Sequence, residues 1–263
     1  MRVKFSIFML SIVALSAVVS LFLPSDFGFS ADGYSTLQLP SSAHLLGTDS
    51  SGHDLFFALI KGSLTSAILC ISTLLLCFVV VFLLCMLISV APKRLQDLIL
   101  AFLDTMIAFP TLIIAMLIAA VAGGSLFVVV IACSVAYSVN ATRVLSNEVR
   151  KILATDYVTS AVTTGESKPS IFVRHVFPSL LPLLIVQLSY ATSSVLLAEA
   201  GLTYLGYGAP QNTASWGHVL SDSASFIRTA PITLLFPGLL ITITVLSINV
   251  VGDWVAGKVD RFA

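Results

Sequence analysis

From Leu64 to Val90 the chain runs 27 residues without one charged side chain, and that run fixes the solvent in which most of it must fold. As a helix rising about 1.5 Å per residue it would outreach the roughly 30 Å hydrocarbon core of a bilayer. Ordinary soluble domains carry about 25% charged residues. Here charged residues make up 10% of the 263 and hydrophobic ones 57%. With about 20 residues needed for each span, the expected fold is one all-α integral membrane domain. Ten-residue segments of alternating polarity, the mark of a membrane barrel, are missing from the sequence.

Six transmembrane helices are predicted. They are Phe5 to Leu23, Leu64 to Val90, Leu98 to Val121 with Asp104 and Pro110 inside it, Leu126 to Val139 after the Gly123-Gly124 turn, Leu180 to Ala198, and Ile232 to Val251. The first competes with a cleaved signal peptide, but 19 residues without a small-x-small cleavage site favour a retained span. With the N-terminus inside, the inner segments collect 11 of the 13 basic residues and the outer ones only Lys61 and Arg228. That asymmetry places both termini in the cytoplasm, since basic loops stay inside.

Between the fourth and fifth spans lies a polar, nearly uncharged stretch, YVTSAVTTGESKPSIFVRHVFPSLLP, residues 157 to 182. It reads as a short helix from Tyr157 to Thr164, a stop at Gly165, and a second piece that meets Pro178 where the next apolar run begins. Glycine tolerates the left-handed conformation that ends helices. A compact helix-turn unit at the membrane surface is a docking element for a soluble partner.

At these residues the chain resembles the membrane subunits of ABC importers. Their coupling loop reads Glu-Ala-Ala, three residues, Gly, about nine residues, then an apolar residue and Pro. Aligned on Gly165, the lead positions are Thr159, Ser160 and Ala161, so two of the three depart from the pattern, and His175 to Pro178 falls at the end. Three further segments, HLLGTDSSGHDLF (44–56), LLAEAGLTYLGYGAPQNTASWGHVLSD (196–222) and FPGLLITITVLSINVVGDWV (236–255), are similar to the dipeptide, oligopeptide and nickel branch. The resemblance implies a type I importer domain, residues 63–263 with the coupling loop at 157–178, preceded by a helix and external segment, 1–62. It also implies a bacterial inner membrane location. The implied partners are a second homologous permease, two ATP-binding subunits, an extracytoplasmic substrate-binding protein and membrane lipid, with no nucleic acid. No cofactor is expected on this chain, ATP and Mg being held by the partner ATPase. The implied docking residues are Tyr157, Thr159, Ser160, Ala161, Gly165, Glu166, Arg174, His175 and Pro178 inside, and Asp49, Gly52, Asp54 and Trp216 outside. The short arm before the first span is more like the nickel and metal-chelate members.

The remaining chemistry is sparse. No GxxxxGK[ST] phosphate loop occurs, so ATP hydrolysis needs a separate subunit. An ion-coupled carrier is the alternative reading, but no internal repeat is visible and Asp104 is the one clearly embedded acid. A membrane assembly subunit without a pathway is the other. Asp104 and Pro110 are pathway or gate candidates. Asp97 and Asp104 share a helix face, and the simpler expectation is that basic neighbours satisfy them. Glu199 either pairs with Arg228 or faces the outer mouth, pairing being expected. The run from His44 to Asp54 lacks the ligand count of a calcium loop and reads as a turn stitched by side-chain to backbone bonds. The four cysteines fall inside apolar spans and act as small apolar residues, and no metal site is expected. Ser189, Thr192, Ser193 and Ser194, with Thr242, Thr244, Ser247 and Asn249, are groups that seat one helix on another, and a partner subunit or a wet pathway is their expected surface, with satisfaction inside the chain as the alternative.

Overall fold

A computed structural model describes residues 1–23, 36–208, 210 and 213–261. Among these residues the regular elements are helices: α1 (Arg2–Phe22), α2 (Leu55–Val90), α3 (Lys93–Ile107), α4 (Thr111–Ala122), α5 (Leu126–Leu153), α6 (Asp156–Thr163) and α7 (Lys168–Ile171). A π-turn at Phe172–Val176 follows, then α8 (Phe177–Tyr204), α9 (Trp216–Ala224) and α10 (Pro231–Val259). An isolated bridge joins Thr48 and Asp54. Five helices are long and apolar enough to cross a membrane, and six if the bent pair α3–α4 is one span.

Several predicted limits move, each for a local reason. The second span begins at Leu55 because Asp54 caps it, accepting from the backbone N–H of Phe56 at 2.8 Å and Phe57 at 3.4 Å. The third is not one bent helix but two meeting at 91°. Pro110, lacking an N–H, sits just before α4 and ends the ladder there. The fourth extends to Leu153, since a polar helix prolongs it where hydropathy gives no signal. The fifth is a continuous rod from Lys168 to Tyr204, so Pro178 does not begin it. Phe177 N–H reaches back to the Phe172 carbonyl, and the widened π-turn makes room for the proline ring that follows.

Two seams hold the bundle. Along α2, Leu69, Thr73, Cys77, Val81 and Cys85 turn inward every fourth residue, and α5 meets them with Ser134, Ser138, Thr142, Leu145 and Val149. Small side chains there let the helices approach closely, as membrane helices require when lipid supplies no hydrophobic drive between them. Among the described residues all four cysteines are free, three of them buried. Along the α8–α10 seam, Asn249 Nδ2 donates to Ser193 Oγ at 3.0 Å. A Cβ on Gly252 would overlap the Ser189 hydroxyl packed against it. Thr242 and Thr244 donate to carbonyls of their own helix, Gly238 and Leu240, at 2.8 and 2.7 Å. Ser189, Ser193, Thr242, Thr244 and Asn249 thus bond within this chain, while Thr192 Oγ1 is buried without a hydrogen-bond partner among the described residues. α1 packs on α2 and α10, and the outward wall of α4 carries exposed Leu112, Ile113, Leu117 and Val121.

Candidate functional site

On one side of the bundle, only Ala154 and Thr155 separate α5 from the short helix α6. Val158 and Ala161 face inward, joining Ile152, Ile171, Phe172 and Val176 in the core. Tyr157, Thr159, Ser160 and Val162 face outward, with Tyr157 48% and Val162 57% exposed. α6 stops at Gly165, whose φ of 85° suits glycine. Gly165 N–H donates to Val162 O and Glu166 N–H to Ala161 O, both at 3.1 Å. That pair of bonds is a Schellman closure, which satisfies the last carbonyls of a helix.

Glu166 then ties the end of α6 to the rod that follows. It accepts from Ser170 Oγ at 2.5 Å and His175 Nε2 at 3.1 Å, with Arg174 at 3.7 Å. These contacts, the Ser170 bond first and the His175 bond next, hold the Glu166 carboxyl below its usual range. The rings of Tyr157 and His175 lie 6.2 Å apart. Lys168 Nζ donates to the Val90 carbonyl at 3.4 Å, fastening the loop to the end of α2. So Glu166, Ser170 and His175 brace the loop from behind, Arg174 is largely exposed, Pro178 lies in the first turn of α8, and Tyr157, Thr159 and Ser160 lie on the open face.

At the opposite end, the segment before α2 is a stitched turn. Asp49 accepts from the N–H groups of Ser51 and His53, both at 2.8 Å, and from His53 Nδ1 at 3.0 Å. Gly52 has φ 84°. Asp54, besides capping α2, bonds His44 Nδ1 at 2.9 Å and is buried. Among the described residues no group of three or more His, Cys, Asp or Glu is arranged to hold a metal. Beside the turn lies a cavity of about 450 Å³ whose polar wall includes Asp49, His53, Lys61, His218 and Asp222. Burial pushes the Asp222 carboxyl up, with His218 opposing and Asp49 adding to the shift.

Glu199 does not pair with Arg228. It is buried and accepts from Ser215 Oγ at 2.7 Å and Thr203 Oγ1 at 3.1 Å. Ser215 also caps α9, accepting from His218 N–H at 3.0 Å. Trp216, expected outside as a docking residue, is 2% exposed. Its Nε1 donates to the Leu59 carbonyl at 2.9 Å. Gly62 makes the approach possible, since a Cβ there would lie 3.0 Å from Ser215 C and Trp216 Cδ1. Asp54 and Trp216 thus hold this end of the bundle together, whereas Asp49 lines the cavity. Sequence reasoning missed Gly62, Ser215 and Gly217 in this clamp. The Ser-Trp-Gly run was a signal, because a buried indole and a capping serine both need neighbours with small side chains.

Asp104 is satisfied by a basic partner from α5. Arg143 spans both carboxylate oxygens, Nε to Oδ1 and Nη2 to Oδ2, the latter at 3.3 Å. Asp97 meets Arg150 at 3.7 Å. Pro110 lies at the elbow between α3 and α4.

An all-helical membrane domain whose broken span leans on a long helix, followed by a Gly-stopped surface helix, defines a type I importer permease. Residues 86–263 match the family described as the binding-protein-dependent transport system inner membrane component, and the chain belongs to that family. A putative peptide transport system permease protein of Brucella suis biovar 1 is 31% identical over 260 residues, covering 98% of this chain and 86% of the relative. The di/tripeptide transport system permease protein DppC of Pseudomonas aeruginosa is 33% identical over 216 residues, 82% and 71% of the two chains. The oligopeptide transport system permease protein OppC of Bacillus subtilis is 28% identical over 257 residues, 95% and 83%. The protein is a multi-pass inner-membrane permease of a binding-protein-dependent importer.

Proposed function

We propose that this chain is one of two permeases of an ATP-driven peptide importer, with two ATPase subunits on the loop at 157–178 and a binding protein on the opposite face. The observation that carries the reading is α6, a helix braced on its inner face by Val158 and Ala161 and open on its outer one. Such a helix offers a soluble partner a rigid ridge without exposing unsatisfied backbone. Similarity to peptide permeases over most of the chain supports a peptide cargo in preference to nickel or a metal chelate. ATP and Mg belong to the ATPase, and this chain supplies the pathway wall.

The sorting of basic residues supports a cytoplasmic loop and cytoplasmic termini. A reporter after Lys168 should therefore be cytoplasmic and one between Thr213 and Trp216 external. Both on one side would contradict the orientation. Tagged chain, expressed with the products of its neighbouring genes, should bring down a second permease and an ATPase in fixed ratio. Purification as a lone, transport-competent protein would refute the proposal.

A further inference from the structure

Asp97 and Asp104 stand seven residues apart on α3, and Arg143 and Arg150 stand seven apart on α5. The structure matches them crosswise, 104 with 143 and 97 with 150, so the two helices run antiparallel with their charges in register. The upper pair is forked, and the Arg143 guanidinium is itself held by Asn147 Oδ1 at 2.9 Å and Ser146 Oγ at 3.4 Å. A fork of this kind fixes orientation as well as distance.

Besides these pairs, α3 is held by Ile99 and Met106 packed on the core and by Gln96 Nε2, which donates to the Ala91 carbonyl at 2.9 Å. Leu100 and Leu103 are its buried residues, while Leu98 and Phe102 are exposed. At its far end comes the 91° elbow at Pro110, beyond which α4 lies along α5, with Asn140 Nδ2 donating to Thr111 Oγ1 at 3.0 Å. At the other end of the same mechanical chain, α5 runs into the docking helix α6 through two residues, with Thr155 N–H bonded to the Ile152 carbonyl at 3.1 Å. One ion pair would be a pivot. Two pairs a heptad apart set both the height and the rotation of α3 against α5.

We propose that the pairs Asp104–Arg143 and Asp97–Arg150 are a strut that makes α3 travel with the inner half of α5, delivering movement of the docking loop to the Pro110 elbow and α4. The proposal rests on the reading of 157–178 as the ATPase docking loop. Exposure separates this role from a structural one. Asp104 and Asp97 are 53% and 58% exposed at the side chain, so neither pair is enclosed in the packed core of this chain. Losing them should leave the fold in place and disturb what the helices do together.

The test uses the whole complex, this chain with its co-purified permease and ATPase, in proteoliposomes with its binding protein. Asp104→Arg and Arg143→Asp should each co-purify with the ATPase in wild-type amount and keep basal hydrolysis. Uptake per ATP should fall by about tenfold, within the range usual for coupling between sites. The double exchange should restore it. An independent arm places cysteines at 104 and 143. Uptake should be low before treatment and recover when a short bifunctional thiol reagent joins them, because the two helices move as one body. Wild-type uptake in a single reversal, no rescue by the exchange, or loss of uptake on cross-linking would each overturn the strut. Should the reversals fail to assemble, the cross-linked pair decides in the same way. A wild-type complex without any ATP-dependent uptake would instead refute the docking-loop reading.

Discussion

Gly217→Val is expected to undo the end of the bundle that holds Trp216. A Cβ at 217 would overlap the Glu199 carboxylate and lie 2.8 Å from the Ala200 backbone, where nothing flexible can yield. α9 would have to lift, carrying Ser215 away from Glu199 and Trp216 away from the Leu59 carbonyl. A buried carboxyl stripped of its hydrogen-bond partners costs about 1–3 kcal/mol, to which the backbone overlap adds. Thermal unfolding of the purified protein in detergent should show a large fall in Tm. Glu199→Gln, which keeps a carbonyl for the Ser215 and Thr203 hydroxyls, should cost less, about 1–2 kcal/mol. Equal Tm for Gly217→Val and wild type would contradict the clamp.

Val162→Asp is expected to detach the ATPase while leaving the membrane domain folded. Val162 is exposed on the open face of α6, so the substitution strains nothing in this chain. Against a partner's groove it buries an unpaired charge, which costs at least about 2 kcal/mol, or roughly thirtyfold in affinity. Co-purification of the ATPase should fall accordingly, with unchanged Tm. Gly165→Val acts differently. A Cβ there meets open space, so only the positive φ is strained, at roughly 1–2 kcal/mol. It should bend the loop without abolishing docking. Full ATPase recovery with Val162→Asp would place the partner elsewhere.

The membrane spans were legible because burial in lipid writes itself as long uncharged runs. The stop at Gly165 and the stitched turn at Asp49 were legible for a related reason, being short-range devices that need particular residues in sequence. What was not legible depends on distant neighbours. Proline at 110 marks where a helix can break, but the 91° angle is set by how α4 packs along α5. Pro178 looked like a start, because sequence does not reveal that a π-turn absorbs the ring. Charge alone pairs Glu199 with Arg228, whereas its partners are the Thr203 hydroxyl one turn on and the Ser215 hydroxyl of a loop sixteen residues on. The resemblance implies an external docking role for Trp216, whereas the indole is buried, as a side chain that large gains most by burial. The crosswise pairing of Asp97 and Asp104 with Arg150 and Arg143 was in principle readable, since both spacings are seven. It needed the knowledge that α5 continues as a helix past Val139.

The central claim is that this chain moves peptides only as part of an ATP-driven assembly. The most direct measurement is uptake of a labelled peptide into proteoliposomes holding the co-purified complex, with binding protein outside and ATP inside. Uptake that requires ATP, the binding protein and an intact 157–178 loop is the predicted result. Peptide uptake by this chain alone, driven by an ion gradient without ATP, would contradict it.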